Sequence, residues 1–154
     1  MRSLAMFTVM VLAAAFLMAG PAVKDQTVAT WTINDEEDGE RLEYSMTVHS
    51  GVLEVRELEF CASCPPKGGA TSTSVKLENV KSFTRDSVEG EEGVVPVQRI
   101  GITARGEHDI TVTHADGKSH TQGGTPGFAA FPIDQKKLRD EVYAKLCAMI
   151  GQKP

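Results

Sequence analysis

Cys61-Ala62-Ser63-Cys64 is the most specific constellation in the sequence. Two cysteines at this spacing serve several chemistries. A thiol-redox site needs the pair at a helix N-terminus, where the helix dipole lowers the thiol pKa. Pro65-Pro66-Lys67-Gly68-Gly69 follows here, and Pro65 drives Cys64 out of the helical region. A closed zinc centre needs four ligands, and one such pair supplies two, so Cys147 and a histidine would have to complete it. The remaining role is structural. A bridge from Cys147 to Cys61 or Cys64 would staple a helix to the rest of the fold, and its long loop would remove more unfolded-state entropy than a local bridge does. The local Cys61–Cys64 disulfide is nevertheless the expected one, because Cys147 falls on the edge of an apolar helix face and suits a buried thiol there.

The four histidines, His49, His108, His114 and His120, invite a metal reading. His114 and His120 flank Asp116-Gly117, a hairpin-turn signal. A two-residue loop places Thr113 opposite His120 and His114 opposite Ser119. The two rings then point to opposite faces, so solvated histidines and no metal site are expected. Asn34, Glu36, Asp38 and Gly39 match the start of a calcium loop, but Ser45 stands where the closing glutamate belongs and the flanks read as strands. Gly117-Lys118-Ser119 is no phosphate loop, since Val112 occupies the position of its first glycine. The chain contains no GxSxG elbow and no HExxH. No catalytic residue is assigned and no cofactor is expected. Phe128 and Phe131, in the segment Gly123–Phe131, are the candidate apolar contacts of a ligand-binding loop, with core packing as their competing role.

The elements that must position these residues read mainly as strands. Ala29, Trp31 and Ile33 alternate with Val28, Thr30 and Thr32 up to an acidic tip at Asp35–Glu40. Leu42, Tyr44, Met46 and Val48 then face one way and Arg41, Glu43, Ser45 and Thr47 the other, as in an antiparallel sheet with one wet face. Ser50-Gly51 turns the chain back. Leu53 and Val55 hold one phase and Leu58 and Phe60 the other, which predicts a bulge at Arg56-Glu57. Residues 61–73 and 85–93 read as polar loops, and strands resume at Val75, Val80, Val95, Ile110 and Lys118. The end of the chain is helical over 134–150. Asp134 is the expected N-cap, Ile133 and Leu138 the hydrophobic staple, and Gly151 the residue that ends the helix. Leu138, Val142, Leu146 and Ile150 lie on its apolar face, which Arg139 interrupts.

Residues 1–22 are compositionally separate. Arg2, an apolar run from Leu4 to Ala19, and Gly20-Pro21-Ala22 form the charged, apolar and small-residue regions of a secretory signal peptide. Its cleavage leaves residues 23–154 as a single domain exported to the periplasm or the medium, and only an uncleaved segment would bring a membrane into play. Arg2 is the one charged residue removed, so the net charge moves from −5 to −6. An acidic domain with scattered basic residues argues against nucleic acid as a partner. The expected partner is a protein or small molecule of unknown identity.

The resulting class is mainly β (α+β): a small antiparallel barrel or bent sheet of about seven strands, capped by one C-terminal amphipathic helix. This layout resembles the pleckstrin-homology-like superfold, most closely in Val75–Phe83, in the hairpin around Asp116-Gly117, and in the helix Gln135–Ile150. Members of that superfold often bind phosphoinositides through basic residues in an early loop. The loop in that place here, Asp35–Glu40, is acidic. The functional expectation is an exported, non-enzymatic binding or interaction module, with a thiol-redox or metal-binding protein built on Cys61 and Cys64 as the alternative.

Overall fold

The computed structural model describes residues 23–35, 40–61, 70–89, 96–122, 124 and 127–154. Residues 1–22, read above as a signal peptide, lie outside the described residues. Among the described residues, nine strands form two antiparallel sheets that do not close into a barrel, and one helix follows them. The expected mainly β fold with a C-terminal helical cap is therefore present, as bent sheets with more strands than the sequence suggested.

The larger sheet has six strands. β1 (Gln26–Asp35), β2 (Glu40–His49), β3 (Val52–Cys61) and β4 (Thr71–Lys76) form a meander, and β7 (Ile110–Thr113) and β8 (Ser119–Thr121) extend it beyond β4. The smaller sheet contains β5 (Val80–Val88), β6 (Val97–Ala104) and β9 (Phe128–Ile133), with β6 in the middle. A 3-10 turn at Leu77–Asn79 carries the chain from one sheet to the other. Its Leu77 N–H donates to the carbonyl of Gly51 at 2.9 Å. That carbonyl belongs to a two-residue hairpin turn in which Ser50 (φ 49°) and Gly51 (φ 77°) both take positive φ, the geometry that matches strand twist.

Alternation places the core between the sheets. Tyr44, Met46 and Val48 from β2, Leu53 and Val55 from β3, Phe83 from β5, Ile100 and Ile102 from β6, and Ala129, Phe131 and Ile133 from β9 are all buried. Trp31 stacks on Tyr44 with ring centroids 5.1 Å apart, and its indole N–H donates to the Pro132 carbonyl at 2.9 Å, tying β1 to β9. The Glu57 carboxylate and burial both raise the Tyr44 hydroxyl pKa, burial more strongly.

Several local expectations need correction. The bulge predicted in β3 is absent, since β2 and β3 pair residue for residue from Glu40–Cys61 to His49–Val52. Leu58 and Phe60 therefore turn to the outer face, where the Arg41 guanidinium lies 4.5 Å from the Phe60 ring centroid. Arginine can cover an aromatic face by its cation, so an apolar residue there does not demand burial. The irregularities fall instead at Val28, between the pairs of Thr27 and Ala29, and at Lys81, between those of Val80 and Ser82. The first lets both Val28 and Trp31 face the core. Residues 71–73 belong to β4 and residues 85–88 to β5, so both polar loops are shorter than their composition implied.

The helix α1 (Lys136–Ile150) packs on β5, β6, β9 and β1. It begins one residue later than predicted: Gln135 is the N-cap, without a side-chain cap bond, and its carbonyl accepts the first helical bond from Arg139 N–H at 3.0 Å. The register is set by Arg139, which is only 7% exposed. Its Nη1 donates to Asp86 O (3.0 Å), Ser87 Oγ (3.2 Å) and Gln98 Oε1 (2.6 Å), while Nε and Nη2 both bond Asp140 Oδ1. An arginine on the apolar face is thus accommodated by a full set of acceptors. Val142, Leu146 and Cys147 are buried below it. Gly151 ends the helix at φ 69°, as predicted, and Gln152 N–H reaches back to Cys147 O at 2.9 Å. The Gln152 side chain then accepts from Phe83 N–H (2.8 Å) and donates to Phe83 O (2.9 Å), clamping the helix end to β5.

Candidate functional site

Strand order gathers three connections at one end of the six-stranded sheet. β1 ends at Asp35, paired with Glu40 at the start of β2, and Glu40 pairs in turn with Cys61 at the end of β3. β4 starts at Thr71 beside Glu57, and its Ser72 pairs with Thr113, the last residue of β7, which faces Ser119 of β8. The β1–β2, β3–β4 and β7–β8 connections therefore all leave from this end. Of these, the β7–β8 turn is described in full.

That turn contains three residues, Ala115-Asp116-Gly117. His114 N–H donates to Lys118 O, and Gly117 N–H donates to His114 O, both at 2.9 Å. Gly117 adopts φ 81°, the left-handed position that closes a three-residue hairpin loop. Asp116 shapes the turn, with Oδ1 accepting the Lys118 N–H at 3.0 Å and Oδ2 lying 3.2 Å from the Lys118 ammonium. These contacts, the backbone N–H first, hold its carboxyl below the usual carboxylate range.

The third loop residue changes the chemistry of the hairpin. Val112 now pairs with His120, and Thr113 with Ser119. A one-residue slip moves every side chain of a strand to the other face. His114, two residues beyond Val112, consequently shares a face with His120. The rings stack with centroids 5.0 Å apart at 21°, and His114 Nε2 lies 3.1 Å from His120 Nδ1. The expectation that these rings point to opposite faces is overturned, and the reason is the length of the turn. On the other face, Thr113 Oγ1 and Ser119 Oγ are 2.8 Å apart.

The remaining histidines stand alone. His108 Nδ1 lies 3.2 Å from Thr121 Oγ1, and His49 Nδ1 lies 2.6 Å from Asp25 Oδ2. The other Asp25 oxygen accepts the Ser50 N–H at 2.7 Å, the main reason its carboxyl pKa is lowered. Among the described residues, no group of three or more His, Cys, Asp or Glu is placed to hold a metal ion.

Cys64 and the side chain of Cys61 lie outside the described residues, as do Glu36, Asp38 and Gly39 of the calcium-like tip. Cys147 is a free, fully buried thiol, so it does not staple the helix to the sheets. Phe128 and Phe131 sit on opposite faces of β9. Phe131 is 8% exposed and belongs to the core. Phe128, 45% exposed, lies across Gly101 on the outer face, where an added Cβ would run into its ring and the Thr84 hydroxyl. An aromatic ring lying over a strand glycine is a recurrent packing device. The two phenylalanines thus cannot line one pocket together.

Sequence reasoning missed the facing of His114 and His120 and the clamp made by Gln152. For the first, the turn signal was present but loop length is not written in Asp-Gly alone. For Gln152 no sequence signal exists. A further shallow groove lies where the end of α1 meets the 3-10 turn, lined by Leu77, Val80, Met149 and Ile150 with Lys81 and Arg105 beside them. No family model, no curated protein and no solved structure matches the chain.

Proposed function

We propose that the chain is an exported, non-enzymatic binding or interaction module that engages its partner through the loop-bearing end of the six-stranded sheet. The observation that carries this reading is the convergence of the β1–β2, β3–β4 and β7–β8 connections on one end of a rigid two-sheet scaffold. Loops held by a packed scaffold are a common way to present a binding surface. The shifted acids elsewhere have structural partners that account for them. Asp86 is lowered chiefly by Arg99, and Asp140 by Arg139. Kinship with the pleckstrin-homology-like superfold belongs to the same proposal. Set apart the β7–β8 hairpin, and the chain runs as four strands in one sheet, three in another, and a C-terminal helix. The partner is a protein or small molecule rather than nucleic acid, in keeping with the net charge of −5.

Two measurements test the reading. Intact mass of the exported protein is expected to show residues 1–22 removed. A photo-crosslinker at Lys118, at the loop end, is expected to give saturable crosslinks in the exported milieu, and one at Lys137 on the helix is not. Equal crosslinking from both positions would sink the proposal. Thiol counting decides the thiol-based alternative: one unreactive thiol that appears on unfolding fits a Cys61–Cys64 bridge beside buried Cys147, whereas two fast-reacting thiols favour redox or metal chemistry at that pair.

A further inference from the structure

The β7–β8 hairpin holds a pair of side chains with no evident structural task. His114 and His120 are both exposed, and among the described residues their polar side-chain contact is with each other. We propose that they form a surface site for an imidazole-preferring divalent transition metal, with copper(II) bound most tightly. The site lies on one of the three connections of the loop-bearing end described above, but the case for it uses neither that reading nor Cys61 and Cys64.

The distance is the first argument. A metal–imidazole bond is about 2.0–2.1 Å, so two nitrogens bound at a right angle stand about 2.9 Å apart, and at a tetrahedral angle about 3.3 Å. The observed His114 Nε2 to His120 Nδ1 separation of 3.1 Å falls between them. The strands already hold the nitrogens at the span of a chelating pair, and the exposed rings are free to rotate about χ2 and turn their lone pairs toward one ion. The 3.1 Å contact of the metal-free hairpin needs a proton on one of the two nitrogens, and on metal binding that proton moves through water to the other nitrogen of the same ring.

Scaffold and charge supply the second argument. The His114–Lys118 and Gly117–His114 main-chain bonds fix both Cα positions before any ion arrives, so little backbone ordering is left for binding to accomplish. Asp116, two residues along from His114, sets a carboxylate at the tip of the same turn. The neighbouring Lys118 ammonium is drawn to Asp116 at 3.2 Å. Two protein ligands leave the other positions to water, so the ion exchanges readily. Nitrogen ligands without thiolate favour copper(II) over nickel(II) and zinc(II) by the usual affinity order.

Titration of the purified protein with copper(II) chloride, followed by electron paramagnetic resonance, tests the site. One equivalent is expected to bind with superhyperfine structure from two imidazole nitrogens. His114→Ala and His120→Ala are each expected to weaken binding at least about tenfold, judged against the losses seen when mere supporting residues of metal sites are removed. His49→Ala is expected to leave it unchanged. Deleting Ser119 keeps both imidazoles and the three-residue loop but brings His120 opposite Thr113, which sends the rings to opposite faces and should weaken binding as much as losing either ring. Zinc chloride followed by NMR of the unmodified protein gives a reading without variants: the ring signals of His114 and His120 should move together while those of His49 and His108 stay. Copper affinity indifferent to both histidines, or lost with Cys64→Ser alone, would overturn the proposal.

Discussion

The helix side of the molecule and the β7–β8 hairpin treat polar side chains in opposite ways. On the helix side, Arg139 is buried and bonded to Asp86 O, Ser87, Gln98 and Asp140, and Gln152 is bonded to both main-chain groups of Phe83. Their hydrogen-bonding capacity is taken up in joining elements. On the hairpin, His114, His120 and Ser119 are exposed and Thr113 is half-buried, and among the described residues their side chains bond across the strand pair. Polar groups that hold nothing together are free to meet a ligand. The contrast puts the hydrogen-bonded joints between elements at the helix and leaves the hairpin's imidazoles open to solvent.

Substitutions at the helix are the most forceful way to break that contrast. Leu146 is fully buried against the sheets. Leu146→Ala is expected to lower unfolding stability by about 2–5 kcal/mol, read by urea denaturation. A loss below about 1 kcal/mol would mean that the helix is not the cap the packing implies. Arg139→Met keeps the apolar stem but removes the bonds to Asp86 O, Ser87 Oγ and Gln98 Oε1, and should cost about 1–3 kcal/mol. The charge itself is discounted, because Asp140 is 36% exposed and screened by water.

How far the sequence revealed this arrangement follows the same line. Alternation in Leu42–Val48 and the helical spacing of Val142 and Leu146 were legible because burial of a whole face leaves a period in the residues. Arg139 announced itself as an intrusion on the apolar face, but its acceptors come from β5 and β6, far away in the chain. Leu58 and Phe60 misled because an apolar residue on an outer face looks the same in sequence as one that faces the core. The hairpin misled for a subtler reason. Asp116-Gly117 fits both two- and three-residue loops, and that single residue of difference decides whether two imidazoles meet or part.

Acid provides a medium-sized test. Asp86 is lowered from 3.8 chiefly by its bond to Arg99, and Asp140 chiefly by its bond to Arg139. A carboxyl whose folded pKa lies below its unfolded value binds more protons when unfolded. Its contribution is therefore complete above the unfolded pKa and disappears as pH falls through the lowered folded value. Stability is expected to decline below pH of about 4, and Asp86→Asn with Asp140→Asn should make that decline shallower. Identical acid profiles for the two proteins would show that these pairs contribute nothing measurable.

The smallest effect is the most telling. Replacing both His114 and His120 by alanine removes two exposed rings and one exposed hydrogen bond. The turn survives through the Asp116–Lys118 bond and the left-handed Gly117. The expected change in unfolding stability is within about 0.5 kcal/mol, as for exposed positions generally. A loss of 2 kcal/mol or more, of the order of a buried network, would mean that the imidazole pair is itself a fastener. The hairpin would then join the helix side as structure, and the reason for reading function into it would be gone.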